Sequence, residues 1–185
     1  FSSIYIYRTI RINYREILKT PICSFDAKTG SLCSKCESKL KTGHLSVGDI
    51  EASIKLTRMA EKNNVVDKFT LVGAYKIEEK LVLILPKSDI STLRSDNDLL
   101  NKIKKEFNDN VWFVESGATE RRFIENLIFP VKISSINLVW LPDGNKLTKI
   151  IVSNKKNQNK KIDTNNISKI AKEIKNIELL IEYTD

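Results

Sequence analysis

The 185-residue sequence has a single histidine and lacks the short motifs on which many catalytic sites depend. One histidine excludes the HExxH metalloprotease motif, and neither a G-x-S-x-G nucleophile elbow nor a glycine-rich phosphate loop occurs. The acidic residues Glu115, Glu120 and Glu125 form no recognisable acid–base pair. We therefore expect a protein that is not an enzyme and has no small-molecule substrate.

Long apolar runs and an even set of cysteines are also missing. No apolar run approaches the roughly 18 residues that a membrane-spanning helix needs, so we expect no membrane insertion. The three cysteines cannot all pair, and two of them share one CxxC, so a disulfide framework is not expected. This cysteine usage indicates a reducing compartment, and we predict a cytoplasmic location.

The charge of the chain is unbalanced towards basic residues. Lysine and arginine total 31 against 23 aspartate and glutamate residues, which gives a formal net charge of +8. Such an excess favours a polyanionic partner, either a nucleic acid or an acidic membrane surface. The alternative is that the excess serves solubility alone.

All three cysteines lie in the stretch CSFDAKTGSLCSKC. Cys33 and Cys36 form a CxxC pair, and Cys23 with Asp26 forms a CxxD pair upstream of it. Structural zinc sites are tetrahedral with four ligands, of which thiolates are common and carboxylates acceptable. We predict one Zn²⁺ ion held by the three thiolates and by Asp26. Two alternatives are His44 as the fourth ligand, and a knuckle that has lost its metal and is held together by packing.

Hydrophobic periodicity predicts alternating helices and strands after the cysteine segment. Ser46 and Asp49 resemble a capping box and predict a helix over 46–62. The runs FTLVGAYKIEE and KLVLILP predict a pair of strands. A short helical segment, a helix over 98–107 and the strand VWFVES follow.

The same order of elements then occurs a second time. A helix over 119–128 is followed by two strands around the turn at 142–145, which is a strong hairpin signal. Asp163 and Thr164 are cap candidates for a last helix, and IELLIEY is a last strand. Two such units predict an α+β fold with an internal duplication.

Three stretches carry a resemblance to a known family. FVESGATERRFIENLIFPVKISSINLVWLPDG resembles the junction between the two KH domains of the transcription factor NusA, and ISKIAKEIKNIELLIEY resembles the final helix and strand of that pair. The cysteine segment resembles the N-terminal zinc knuckle of archaeal NusA-like KH proteins. The resemblance implies two tandem type II KH-like domains, each of order α-β-β-α-α-β, behind a zinc knuckle.

This organisation implies four segments and a function. They are a basic N-terminal extension over 1–20, a zinc-knuckle segment over 21–45, and KH-like domains over 46–118 and 119–185. The resemblance implies a non-catalytic RNA-binding accessory protein that docks on the ribosome through rRNA, or on the transcription elongation complex through the nascent transcript. The alternative is a protein-interaction module on RNA polymerase that does not bind RNA directly.

The sequence departs from the family at the loops that normally hold nucleic acid. A KH domain holds the RNA backbone with a GXXG loop between two helices. The corresponding positions, 94–97 and 162–165, contain no glycine, and Asp96 and Asp163 place negative charge there. We expect these loops not to bind phosphate.

Lysines near the second hairpin are the alternative RNA contacts. Lysine attracts phosphate, and the interleaved asparagine and glutamine side chains can bond sugar or base edges. The competing interpretation of such a run is a solvated loop. The predicted RNA-binding residues are Lys146, Lys149, Lys155, Lys156, Lys160 and Lys161. Trp112 and Trp140 lie in apolar strands, and we expect both to pack in the core.

Overall fold

The computed structural model describes residues 18–153 and 163–184. Within these ranges the chain forms seven α-helices, one 3₁₀ turn and two three-stranded sheets, so it is an α+β protein. No helix in the described ranges is long and apolar enough to cross a membrane. Most of the predicted basic extension, and Lys155, Lys156, Lys160 and Lys161, lie outside the described residues.

From residue 46 onwards the helices and strands follow the order that the periodicity predicts. The first part of the chain contains α1 (Ser24–Thr29), α2 (Ser34–Lys41), α3 (Val47–Ala60), the 3₁₀ turn Val66–Lys68, β1 (Gly73–Ile77), β2 (Lys80–Leu85), α4 (Lys87–Ser95), α5 (Asn97–Glu106) and β3 (Val111–Glu115). The second part contains α6 (Glu120–Ile128), β4 (Ile133–Trp140), β5 (Lys146–Ser153), α7 (Thr164–Lys175) and β6 (Glu178–Thr184).

The two sheets have the same pairing pattern. In the first, β2 lies in the middle, antiparallel to β1 and parallel to β3. In the second, β5 lies in the middle, antiparallel to β4 and parallel to β6. Each parallel pair is joined by a connection that contains a helix, as parallel strands require.

The first sheet is covered on both faces. Leu83 in β2 packs with α3, α4 and α5, whereas its neighbour Val82 points to the opposite face and packs with α6 and α7. Both side chains are completely buried. Successive residues of a strand point to opposite faces, so consecutive apolar residues require a cover on each side.

Helices α6 and α7 belong to the cores of both sheets. Phe123 and Ile124 of α6, with Ile170 of α7, pack against Val82 on one side and against Ile150 of β5 on the other. The layers therefore run from α3–α5 to the first sheet, then to α6 and α7, and finally to the second sheet. The predicted boundary between residues 118 and 119 stays a prediction, and core contacts cross it.

The two tryptophans differ from each other in burial. Trp112 in β3 is partly buried and packs against the core that α6 and α7 share, as predicted. Trp140, the last residue of β4, is 71% exposed, so the prediction that it packs in the core is wrong. The reason is that the helix layer covers only the first half of β4: Ile133 and Ile136 pack against it, and residues 137–140 are exposed.

Helix α3 is fixed to β1 at its first turn. The predicted capping box is present: Ser46 Oγ accepts a hydrogen bond from the Asp49 amide at 3.0 Å, and Asp49 Oδ2 accepts one from the Ser46 amide at 2.8 Å. The other carboxylate oxygen of Asp49 accepts a hydrogen bond from the Ala74 amide of β1 at 2.7 Å. A Cβ atom on Gly48 would lie 2.7 Å from the Ala74 carbonyl oxygen, so only glycine permits this approach.

We expect Gly48→Ala to lower the free energy of unfolding, by about 1–3 kcal/mol, because the added methyl group would push α3 away from β1. Intrinsic helix propensity alone would change stability in the opposite direction, by about 1 kcal/mol. Urea denaturation of both proteins measures the difference. Lys102→Ala, at an exposed position of α5, is the control and is expected to stay within about 0.5 kcal/mol of the parent. A Gly48→Ala variant as stable as the parent would show that the close approach of Gly48 to Ala74 does not restrain α3.

Candidate metal centre

Two short helices present the cysteine segment's polar side chains in equivalent positions. Cys23 is the N-cap residue of α1 and Cys33 is the N-cap residue of α2. Asp26 and Cys36 lie three residues further on, in the first turn of each helix, and residues three apart share one side of a helix. Gly30 ends α1 in the left-handed conformation, at φ 78°, and lets the chain turn back towards α2.

The two pairs meet and form one cluster. One ligand atom from each residue lies within 4.8 Å of the other three; the residues are Cys23, Asp26, Cys33 and Cys36. A tetrahedral site with metal–sulfur bonds of about 2.3 Å has ligand atoms about 3.8 Å apart, so a small inward movement would complete it. The four side chains are close enough to hold a metal ion. His44 is not part of this cluster: its ring is exposed, and its Nδ1 atom lies 2.9 Å from Thr42 Oγ1.

Asp26 is the residue of the cluster whose burial most needs an explanation. Its side chain is completely buried, and Oδ2 accepts a hydrogen bond from the Cys33 amide at 3.0 Å. The other oxygen, Oδ1, is buried without a hydrogen-bond partner among the described residues. Buried carboxylates are normally hydrogen-bonded or coordinate a metal ion. The cluster therefore contains an unused acceptor of the kind that a cation would occupy.

The thiol of Cys36 and the carboxylate of Asp26 change each other's proton affinity. Contact with the Cys36 thiol is the main cause that lowers the pKa of Asp26 to about 2. The same contact raises the pKa of Cys36 to about 12. Without a metal ion, the carboxylate is therefore ionised and this thiol protonated at neutral pH. Because a metal ion binds the thiolate, metal binding would release the Cys36 proton and would strengthen as pH rises.

Apolar contacts attach the cluster to the rest of the protein. Ile22, Ala27 and Leu45 are buried around Cys36, and Ile54 of α3 packs against them. This packing agrees with the alternative of a knuckle held by its apolar residues. It supplies no partner for Asp26 Oδ1, however, so packing and metal binding explain different features of the segment.

The predicted RNA-binding lysines that the structure describes both form ion pairs. Lys146 Nζ lies 3.4 Å from Glu120 Oε2, and Lys149 Nζ lies 2.8 Å from Glu182 Oε2. Their charges are therefore partly compensated within the protein. The other four predicted lysines fall in 154–162, outside the described residues.

The two loops without glycine have a structural use. Asp96 caps α5 by accepting a hydrogen bond from the Leu99 amide at 2.9 Å, and Asp163 caps α7 by accepting one from the Asn166 amide at 3.0 Å. Amide groups at these helix starts thus already have carboxylate partners. Asp is among the best N-cap residues, which accounts for its presence at both positions.

Sequence reasoning did not identify the environment of Arg94. Its guanidinium donates a hydrogen bond to Asn126 Oδ1 of α6 and lies over the Phe129 ring, 4.4 Å from the ring centroid. The two polar residues are 32 positions apart, and no periodic pattern links them. Both line a cavity beside β3.

No family model matches the chain, and no curated protein matches it. Among solved structures, the crystal structure of APE1850 matches with a TM-score of 0.40 and 16% sequence identity. The match covers 62% of this chain and 88% of APE1850.

We expect Asp26→Ala to weaken metal binding by about 100-fold or more, because even the loss of a group that only orients a ligand costs 10–100-fold. His44→Ala is the matched control and is expected to bind as the parent does, since its ring lies outside the cluster. Titration of the reduced full chain with Zn²⁺, against a chromophoric chelator, measures both affinities. Loss of binding in His44→Ala with retention in Asp26→Ala would reverse the ligand assignment. A parent chain that does not compete with the chelator would identify a knuckle without metal.

Proposed function

We propose that this chain is a non-catalytic RNA-binding accessory protein with two tandem KH-like units behind a zinc knuckle. The observation that carries the proposal is the order of elements after the knuckle. Helix α3, strands β1 and β2, helices α4 and α5 and strand β3 follow one another in the order of the type II KH domain, α-β-β-α-α-β. The two central helices are separated by a single residue, Asp96, at the position where the family has its GXXG loop.

The second half of the chain supports the same proposal. It contains a helix, two strands, a further helix and a strand, and its sheet repeats the pairing of the first sheet. The residues before α7, 154–162, lie outside the described part. Repetition of one antiparallel and one parallel pairing is what an internal duplication of a small module would produce.

Zinc is the metal ion that fits the cluster best. Three thiolates and one carboxylate are a donor set for a thiophilic ion with tetrahedral geometry, and their spacing favours a structural site. The four residues would occupy every position of a tetrahedral ion, which leaves none for water or substrate. A zinc ion bound there would link α1 to α2. A closed site agrees with the proposal of a protein that is not an enzyme.

The proposed RNA contacts are residues other than those at the usual KH loop positions. Asp96 and Asp163 are used as helix caps, and Lys146 and Lys149 are paired with glutamates. The remaining predicted cations are Lys155, Lys156, Lys160 and Lys161, whose role rests on the sequence alone. A dense lysine run suits contact with the phosphates of a large ribonucleoprotein, either the ribosome or a transcription elongation complex.

We expect replacement of these four lysines with serine to weaken RNA binding and to flatten its dependence on salt. For single-stranded RNA, removing one lysine–phosphate interaction reduces the slope of log affinity against log salt by about 0.7. Fluorescence anisotropy with a labelled single-stranded RNA, at several salt concentrations, measures both quantities. The matched control replaces four exposed lysines of the first unit, which are Lys62, Lys68, Lys87 and Lys105. If both quadruple variants weaken RNA binding equally, net charge alone explains the effect, which would contradict the proposal.

A second control addresses the loop at 94–97. Ser95→Gly with Asn97→Gly brings glycine into the loop while keeping the Asp96 cap and Arg94 in place. Because the proposal assigns no RNA contact to this loop, the double variant is expected to bind RNA as the parent does. If this double variant changes the RNA affinity and the quadruple lysine variant leaves it unchanged, the loop is the element that binds RNA.

A second candidate function is a protein-interaction module on RNA polymerase that needs no RNA. The observation that favours it is a pair of exposed apolar side chains near the end of β4. Trp140 is 71% exposed and Leu138 55%, and the two point to the same face of the second sheet. Exposed aromatic and aliphatic side chains are typical of interaction surfaces. This candidate predicts that the chain co-purifies with RNA polymerase after nuclease treatment, and that the double variant Leu138→Ser/Trp140→Ser does not. Co-sedimentation with ribosomes that is lost after nuclease treatment would favour the first candidate.

A further inference from the structure

A cavity of about 130 Å³ lies between α4, α5, β3 and α6. Three aromatic side chains, Trp112, Phe113 and Phe129, contribute to its walls, together with aliphatic side chains of α4, α5, β3 and α6. The polar and charged residues of the walls are Arg94, Lys104, Asp109 and Asn126. Its volume approaches that of an engineered cavity of about 150 Å³ that holds benzene. It lies at the junction of the two units and shares no lining residue with the metal cluster.

Asn126, a residue of the cavity wall, has a buried hydrogen-bond donor without a partner among the described residues. Asn126 is 4% exposed, and its Oδ1 atom accepts a hydrogen bond from Arg94. Arginine can only donate, so this bond fixes the orientation of the amide and directs Nδ2 elsewhere. Nδ2 is buried and has no partner among the described residues. An unpaired buried amide donor indicates a missing acceptor.

The same wall carries a guanidinium that forms no ion pair. Arg94 is half-buried, and within the described ranges no carboxylate forms an ion pair with it. The carboxylates of Glu115 and Glu125 pair with Arg122 instead. Burial, followed by repulsion from Arg122, lowers the pKa of Arg94, and attraction to Glu115 and Glu125 offsets part of this effect. A bound anion in direct contact would stabilise the charge further.

We propose that this cavity binds a small carboxylate with an apolar body. The carboxylate accepts hydrogen bonds from the Arg94 guanidinium and from Asn126 Nδ2, and the apolar body lies against the aromatic walls. Arginine suits a carboxylate because its planar donors match both oxygens. The one acidic residue of the wall, Asp109, is exposed, so water screens its charge. The ligand is bound and not transformed, since the wall offers no catalytic pair.

The chemistry of the walls separates this ligand from two others. Inorganic phosphate has no apolar part to fill the aromatic side of the cavity, and its stronger hydration makes transfer into it unfavourable. A neutral planar molecule would fill the cavity but leave the Arg94 charge without a counterion. Both are therefore expected to bind more weakly than an aromatic carboxylate.

Two-dimensional ¹H–¹⁵N NMR of the full chain during a benzoate titration tests the proposal. The indole signal of Trp112 and the side-chain amide signals of Asn126 are expected to shift together and to saturate. The indole of Trp140, which lies outside the cavity, is the internal control and is expected not to move. Inorganic phosphate and adenosine, at the same concentrations, are the comparison ligands.

Variants separate a specific site from general charge attraction. Arg94→Gln and Asn126→Asp are each expected to weaken benzoate binding at least tenfold. Arg121→Gln removes the same charge from an exposed residue of α6 outside the cavity and is expected to bind as the parent does. Circular dichroism during thermal unfolding checks that each variant is folded. If Arg94→Gln is not folded, the shifts of the Asn126 amide in the parent protein test the proposal instead.

Three results would overturn the proposal. One is the absence of a saturable shift of Trp112 and Asn126 with benzoate. Another is tighter binding of adenosine or phosphate than of benzoate, which would assign the cavity to a base or to a simple anion. The third is equal loss of affinity in Arg94→Gln and Arg121→Gln.

Discussion

The first sheet must be buried on both faces, and most of the structure depends on this constraint. Leu83 and Val82 are neighbours in β2, both are completely buried, and they point in opposite directions. Burial of one such side chain contributes about 1.5–3 kcal/mol, so neither face of the strand can be left in water. Helices α3–α5 cover one face, and α6 and α7 cover the other. Because α6 and α7 also support β5 through Ile150, the second sheet is attached to the first through a shared layer.

This arrangement determines which parts of the surface are available for binding. Asp96 and Asp163 hold the starts of α5 and α7. Arg94, near the end of α4, donates a hydrogen bond to Asn126 of α6. The polar side chains at these helix ends therefore have structural partners within the protein. The metal cluster lies on a small apolar group against which Ile54 of α3 packs, so it is attached to the rest of the protein.

Local signals in the sequence predicted the elements well. The Ser46–Asp49 capping box marked the start of α3, and CxxD with CxxC spacing predicted the four residues that form the cluster. Both predictions depend on residues close together in the chain, where spacing alone determines geometry. The predicted helix over 98–107 was found one residue earlier, as α5, because Asp96 caps it. The α+β class with two sheets followed from the same patterns.

Features that depend on distant residues could not be predicted. Burial of Trp140 was wrongly expected, because its strand pattern does not tell how far the helix layer extends along β4. The pairing of Lys149 with Glu182 joins two strands, and neither residue's pattern indicates the other. The approach of Gly48 to β1 and the contact of Arg94 with Asn126 likewise depend on packing. In each case the sequence specifies an element but not its neighbour.

Helices α6 and α7 form one layer shared by both sheets. Native-state hydrogen exchange on the full chain tests this sharing most directly, with the amides of Leu83 in β2 and Ile150 in β5 as reporters. If the layer is shared, both amides exchange through one global opening with equal free energies. Ile124→Ala, in the shared layer, is then expected to lower both free energies equally. Exchange of Ile150 through a separate opening of lower free energy, with Leu83 unaffected by Ile124→Ala, would show that the two sheets do not share this layer.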